Sequence, residues 1–393
     1  MMTVLGAAVA ASLLLGFHNS PSGAPGISLP GTGAVPAPGS QSAPLAGGEQ
    51  AIVTKIKPGL VIINTTLQYN SEAAAGTGIV INADGLVLTN NHVIEHATKI
   101  TARSASTGTT YTATVVGYDK TGDIALIQLR NASGLTAARL GNSSSVKTGD
   151  SVVALGNAEG QGSITAKPGR VTGLGQTVTA SEDGGATASE TLHGMIQTNA
   201  DIVPGDSGGP LASSAGVIGM DTAGNDGSTQ QASTGFAIPI NTALSVARQI
   251  AAGHASSTIT IGYPPFAGLF TGSGSDSSPQ AQAQQQGGGF SGGIGNTPRC
   301  YTSNSGLSVP SSIAPARAGA LVVGTICGSP AAAAGITGGA VITAVNGQAV
   351  GSPDDLTGML SRFHPGDTVS MTWVSPSGQQ TISRLHLAAG PPQ

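Results

Sequence analysis

The chain has 393 residues, more than one small domain needs, and only 9% of them are charged, whereas 60 are glycine and 23 are proline. Its surfaces must therefore be built from Gly, Ser, Thr, Ala and Asn, which suits many short strands and turns. Lysine and arginine number 15 against 19 acidic residues, a net charge of −4 with no basic cluster, so a nucleic-acid footprint is excluded.

Residues 1–17 carry no charge and are almost wholly apolar, which reads as an export leader or a short membrane anchor. No basic residue precedes this run and no clear small-x-small site follows it, so cleavage is left open. Residues 18–50 are Pro, Gly, Ser and Ala with few large apolar side chains, too few to offset ordering entropy. They are expected to form a flexible tether that would hold a folded unit away from a membrane.

From residue 51 the chain turns to short Val/Ile/Thr-rich runs broken by Gly and Asn. Strands are expected at 78–82, 86–89, 111–118, 124–129 and 151–155. After a Gly-rich break come a second set, at 163–166, 170–174, 195–198, 215–220 and 235–240. Two β-barrels over 51–256 are implied. One helix closes them, capped by Asn241 or Thr242, with Leu244, Ala247 and Ile250 on one face and Gly253 at its end.

Residues 257–390 read as a smaller α+β module. A low-complexity insert at 271–299, with a Gln run from Gln280 to Gln286, is expected to be disordered. Strands follow at 319–325 and 340–345. Ser352-Pro353-Asp354-Asp355 opens a helix on which Leu356, Leu360 and Phe363 share a face. Strands at 368–374 and 380–387 close the module. Cys300 and Cys327 are the two cysteines, and in an exported protein such a pair is expected to be bridged.

The chemistry centres on Gly205-Asp206-Ser207-Gly208-Gly209-Pro210, where glycines on both sides of a serine let backbone N–H groups approach a substrate carbonyl. Ser207 is the candidate nucleophile. A serine hydroxyl needs a base in reach and a third group to fix the base's tautomer. His92 lies at the end of a strand pair, where it can face a cleft. Asp123 stands at the entry of the apolar strand 124–129, which would partly bury its carboxylate. Asp119 competes for that role but precedes a turn, and His96, His193 and His254 lack a comparable setting. The base and acid fall in the first barrel and the nucleophile in the second, so the cleft between barrels would assemble the site. Gly205 and Ser207 would supply the oxyanion-hole N–H groups.

His92-Val93-Ile94-Glu95-His96 also matches H-x-x-E-H, an inverted zinc-protease pattern. It lacks the long helix that would bring both histidines to one face and a framed third ligand, so no metal and no cofactor is expected.

Ala75-Gly76-Thr77-Gly78, Leu88 to Val93, Asp123-Ile124-Ala125-Leu126 and Pro204 to Leu211 resemble the HtrA/Deg trypsin-like serine proteases. Residues 261–263 with Phe266, Ala267, Gly268 and Leu269 resemble the carboxylate-binding loop of that family's PDZ domain. Segments 328–332 and 341–347 resemble its core. The resemblance implies a chymotrypsin-like double β-barrel followed by a PDZ domain. It further implies an ATP-independent endopeptidase of the cell envelope that degrades misfolded or unfolded proteins, usually a homotrimer. Its PDZ domain would bind C-terminal peptides by strand addition, in a groove between residues 266–270 and the helix at 352–363. A PDZ-based binding scaffold with a regulated or inactive protease domain is the alternative of a different class.

Two departures stand out. The family usually has Asn before the nucleophile, whereas this chain has Asp206, a carboxylate that needs a partner. Asp201, six residues before Ser207, replaces a small residue of the family: aligned without gaps it would lie at the base of the S1 pocket and select Lys or Arg, and otherwise it is a loop acid that faces solvent or bonds backbone amides, so P1 stays open between basic and the family's aliphatic preference. With Gly219 and Met220 it completes the S1 candidates.

Overall fold

The architecture comes from a computed structural model, which describes residues 45–69, 72–181, 189–222, 234–272, 274–286, 299–304, 307–308 and 310–392. The expected leader and most of the tether lie outside these residues.

The tether ends earlier than expected. Residues Gly47–Ile56 form helix α1, because Ile52 and Ile56, one helical turn apart, are buried in a core shared with Val153, Ala212 and Val217. The Glu49 carboxylate accepts from the Ala46 N–H at 2.8 Å and closes the first turn. The folded unit therefore begins near Gly47.

Six strands make the first barrel: β1 Leu60–Leu67, β2 Glu72–Val80, β3 Leu86–Thr89, β4 Lys99–Ser104, β5 Thr110–Asp119 and β6 Ile124–Leu129. Their order is β5-β4-β1-β2-β3-β6, closed by pairing of β5 with β6. A single helical turn, α2 Asn91–Ile94, leaves β3. The second barrel contains β7 Ser151–Gly156, β8 Thr165–Ser181, β9 Ser189–Thr198, β10 Pro210–Ser213, β11 Gly216–Thr222 and β12 Gly235–Pro239. It closes in the order β10-β11-β12-β9-β8-β7. The two strands expected at 163–166 and 170–174 are one, because register shifts at Gly173 and Gln176 absorb the glycines without ending the β8–β9 ladder.

Helix α3, Ile240–Ala251, follows β12 directly, so neither Asn241 nor Thr242 caps it; Pro239 is the N-cap. The Asn241 side chain instead donates to Asn142 Oδ1 at 2.7 Å and to Ser144 Oγ at 3.0 Å. Ile240, Ala243, Ala247 and Ile250 are the buried stripe, and Leu244 is partly buried beside it. The helix packs on β5 and β6 of one barrel and β11 and β12 of the other. It thus fixes the cleft from behind.

Strand β13, Ile259–Ile261, pairs with β5. The boundary expected at 257 is therefore too early, since Ile261 belongs to the first barrel's sheet and the Tyr263 hydroxyl accepts from the Val115 N–H. The C-terminal unit then runs through β14 Pro265–Phe266, β15 Leu269–Thr271, α4 Pro279–Gln286, β16 Ala320–Thr325, α5 Pro330–Ala333 and β17 Val341–Val345. It continues with β18 Gln348–Ala349, α6 Pro353–Leu360, β19 Thr368–Val374, β20 Gln380–His386 and β21 Ala388–Ala389. Its sheet has the order β15-β16-β17-β19-β20. Ser352 caps α6 by accepting from the Asp355 N–H.

The insert expected to be disordered over 271–299 contains α4, whose Gln282 is buried. Its amide donates to the Gly319 carbonyl at 2.7 Å and accepts from the Leu321 N–H at 2.8 Å, doing for the start of β16 what a neighbouring strand would do. Residues 287–298 lie outside the described ones. Cys300 and Cys327 are joined, with Cα atoms 4.9 Å apart.

Candidate active site

Asp123 opens β6 with a left-handed backbone, φ 51°, a conformation that a short polar side chain tolerates better than most. Its side chain is 2% exposed, against 34% for His92. The carboxylate lies 2.9 and 3.0 Å from His92 Nδ1. It also accepts from the His92 backbone N–H at 3.0 Å and from the Thr222 hydroxyl at 3.1 Å. A carboxylate can only accept, so Nδ1 must carry the hydrogen, which puts the ring's lone pair on Nε2. The Asn90 amide donates to the Asp123 carbonyl at 2.9 Å and pins the same turn.

Ser207 is 4% exposed, between Gly205 and Gly208 with φ 94° and 79°. A side chain at Gly205 would strike the Asn157 carbonyl, and one at Gly208 the Thr77 carbonyl and Thr89 hydroxyl. Only glycine fits these turns. The N–H groups of Asp206, Gly208 and Gly209 are committed to the carbonyls of Val203, Asp221 and Asp206.

Contacts from several residues bring the two barrels together. The Thr77 N–H donates to the Ser207 carbonyl at 2.9 Å, and the Thr77 hydroxyl donates to the Gly205 carbonyl at 2.9 Å. Gly76 leaves the space between them open, because a Cβ there would lie 2.7 Å from Val93 and 3.2 Å from the Ser207 carbonyl. Asp221 exchanges backbone bonds with Gly208 and Gly209, while the next residue, Thr222, reaches Asp123. The roles of Thr77 and Thr222 were not legible in the sequence.

The rival residues lie apart. Asp119 Oδ1 accepts from the Gly122 N–H within its own turn. His193 meets Thr177 on the β8–β9 ribbon. His96 has φ 58° and lies beyond α2, so it shares no helix face with His92, and the inverted zinc pattern loses its geometry. Burial lowers the His96 imidazole below its ordinary pKa, against the pull of Glu95.

Asp206 has the partner that the sequence left unnamed: Lys167 Nζ lies 3.1 Å from its Oδ2. The Val203 N–H also donates to Oδ2, at 3.0 Å. Burial still pushes the Asp206 carboxyl above its ordinary value, with the Val203 N–H and Lys167 opposing. Asp221, fully buried, is pushed well above its ordinary value by burial and by the neighbouring Asp206 charge.

Among the S1 candidates, Asp201 is exposed, whereas Gly219 and Met220 are buried in β11. In the C-terminal unit, Ala267 and Gly268 carbonyls accept from Ala331 and Ile326 N–H groups, both at 2.9 Å. This holds the Phe266 to Leu269 loop against the end of β16 and leaves β15 at the sheet's edge. Tyr69, just past β1, stacks on Phe266 with ring centroids 5.7 Å apart.

Comparison with known proteins places these features. The family profile of a trypsin-like peptidase domain matches residues 76–220, and that of a PDZ domain matches residues 322–374. The serine protease PepD of Mycobacterium tuberculosis is 31% identical over 386 residues, 94% of this chain and 72% of PepD. A probable periplasmic serine protease, do/HhoA-like, of Haemophilus influenzae is 33% identical over 301 residues, 76% of this chain; the chain spans only 55% of that relative's length. A solved structure of the HtrA-type protease AlgW with tripeptide covers 88% of this chain and 98% of its own, at 26% identity and a TM-score of 0.44.

Proposed function

The chain belongs to the HtrA family of trypsin-like serine endopeptidases with a PDZ domain, and on that premise we propose that His92, Asp123 and Ser207 are its catalytic triad. The observation that carries this reading is the buried Asp123 carboxylate against His92 Nδ1 at 2.9 Å, with Thr222 fixing the far oxygen. Ser207 Oγ attacks the scissile carbonyl as His92 Nε2 takes its proton. The tetrahedral oxyanion is held by the Gly205 and Ser207 N–H groups. His92 then gives the proton to the leaving amine, and water repeats the cycle on the acyl-enzyme. The Asp123 carboxylate orients the ring and stabilises the imidazolium.

The substrates are unfolded or misfolded proteins of the cell envelope, reached through an exported, N-terminally tethered chain. The exposed position of Asp201, against the burial of Gly219 and Met220, supports an aliphatic rather than a basic P1. The PDZ unit takes C-terminal peptides along the edge of β15, with the carboxylate at Phe266 to Leu269. A homotrimer built through the protease domains completes the proposal. The test is Ser207→Ala with a denatured protein as substrate: turnover should fall by about a million-fold, and retained turnover would remove Ser207 from the reaction.

A further inference from the structure

We propose that Lys167 is a positioning residue for the nucleophile loop, its ammonium clamping Asp206 so that the backbone between Val203 and Gly209 keeps its competent shape. The inference rests on the triad reading above.

Lys167 lies on β8, paired across the barrel wall with Ala154 of β7. Asp206 lies on the loop before β10, 39 residues further along. Their side chains are 13% and 1% exposed, so the pair is screened from water at one end and closed at the other. Asp206 converts that charge into backbone geometry. Its Oδ2 holds both Lys167 Nζ and the Val203 N–H. Its own N–H donates to the Val203 carbonyl, and its carbonyl accepts from the Gly209 N–H. The residue is thus bonded to both ends of the turn that carries Ser207.

A second carboxylate sharpens the need for the lysine. Asp221 is fully buried and, among the described residues, neither of its carboxyl oxygens has a hydrogen-bond partner; nor does Asp206 Oδ1. Burial and the Asp206 charge push the Asp221 carboxyl well above its ordinary value, so a second buried carboxyl crowds Asp206, whose Oδ2 bonds Lys167. Asp201, exposed at the loop's start, adds a further negative charge to Asp206's surroundings. Without Lys167, a buried Asp206 carboxylate one residue from the nucleophile would have to protonate or turn toward water. Either change releases the loop.

The test uses the full chain and a denatured, quenched-fluorescent protein substrate, with serine-directed phosphonate labelling in parallel. In Lys167→Met, kcat should fall by about 100-fold, the scale of losing one oxyanion donor, while KM stays within about threefold; phosphonate labelling should slow by a similar factor. Removing the charge on both sides, in Lys167→Met/Asp206→Asn, should recover kcat by about tenfold or more over the single variant. A fall of less than about tenfold in Lys167→Met would overturn the proposal, as would a folded double variant no faster than the single one. If Lys167→Met does not fold, the double variant decides alone: an active one supports the clamp and an inactive one overturns it. Wild-type protein that resists the phosphonate would instead remove the triad reading itself.

Discussion

The Thr77 hydroxyl of the first barrel donates to the Gly205 carbonyl of the second at 2.9 Å, and accepts at the same oxygen from the Asn157 N–H, also at 2.9 Å. One fully buried hydroxyl therefore joins three segments that meet under the turn carrying Ser207. Thr77→Val keeps the shape but strands two buried polar groups, which should lower stability by about 2–4 kcal/mol. The loop that loses its anchor should also lose about 10- to 100-fold in kcat. Urea unfolding and steady-state kinetics measure the two effects separately, and an unchanged kcat would show that Thr77 does not position the loop.

Asp221 sets a pH dependence whose sign can be worked out. In the unfolded chain its carboxyl ionises near its ordinary 3.8, whereas in the folded state burial and the Asp206 charge hold it neutral to well above that. Its stabilising contribution is fully present below pH 3.8 and is lost as pH rises from there toward the raised folded-state value. Asp221→Asn removes this loss. Unfolding midpoints compared from acid to alkaline pH should diverge in favour of the variant as pH climbs, whereas parallel profiles would contradict a neutral Asp221.

The Cys300–Cys327 bridge closes a 27-residue separation beside the PDZ sheet. Replacing both cysteines by serine should destabilise that unit by about 3 kcal/mol on the loop-entropy model. The protease barrels, which hold no cysteine, should unfold as before. Calorimetry with and without reductant reads this directly, and identical traces would mean that the bridge adds nothing.

Much of the fold was legible because it is written locally. β3 and β6 are short apolar runs between turn residues, and both were found with their ends correct. Other signals were local but obscured. Ile52 and Ile56 have helical spacing, yet they follow glycines that extend a tether-like composition, and α1 was missed. β1 and β4 were also missed; β4 has Lys99 and Arg103 on its open face, so its apolar pattern is thin. The Gln run read as low complexity until Gln282 found the backbone groups of Gly319 and Leu321. What no local reading reaches is pairing at a distance. Thr77 meets Gly205 across 128 residues, Thr222 meets Asp123 across 99 and Lys167 meets Asp206 across 39. The sequence could show that Asp206 needed a partner, but only barrel closure shows which lysine it is.

In the proposed triad Ser207 is the nucleophile and His92 activates it. Incubation of the folded protein with a serine-directed phosphonate, followed by peptide mass mapping, tests it most directly. One adduct is expected, on Ser207, and it should be lost in His92→Ala and in Ser207→Ala. No adduct, or an adduct on another residue of the folded chain, would contradict it.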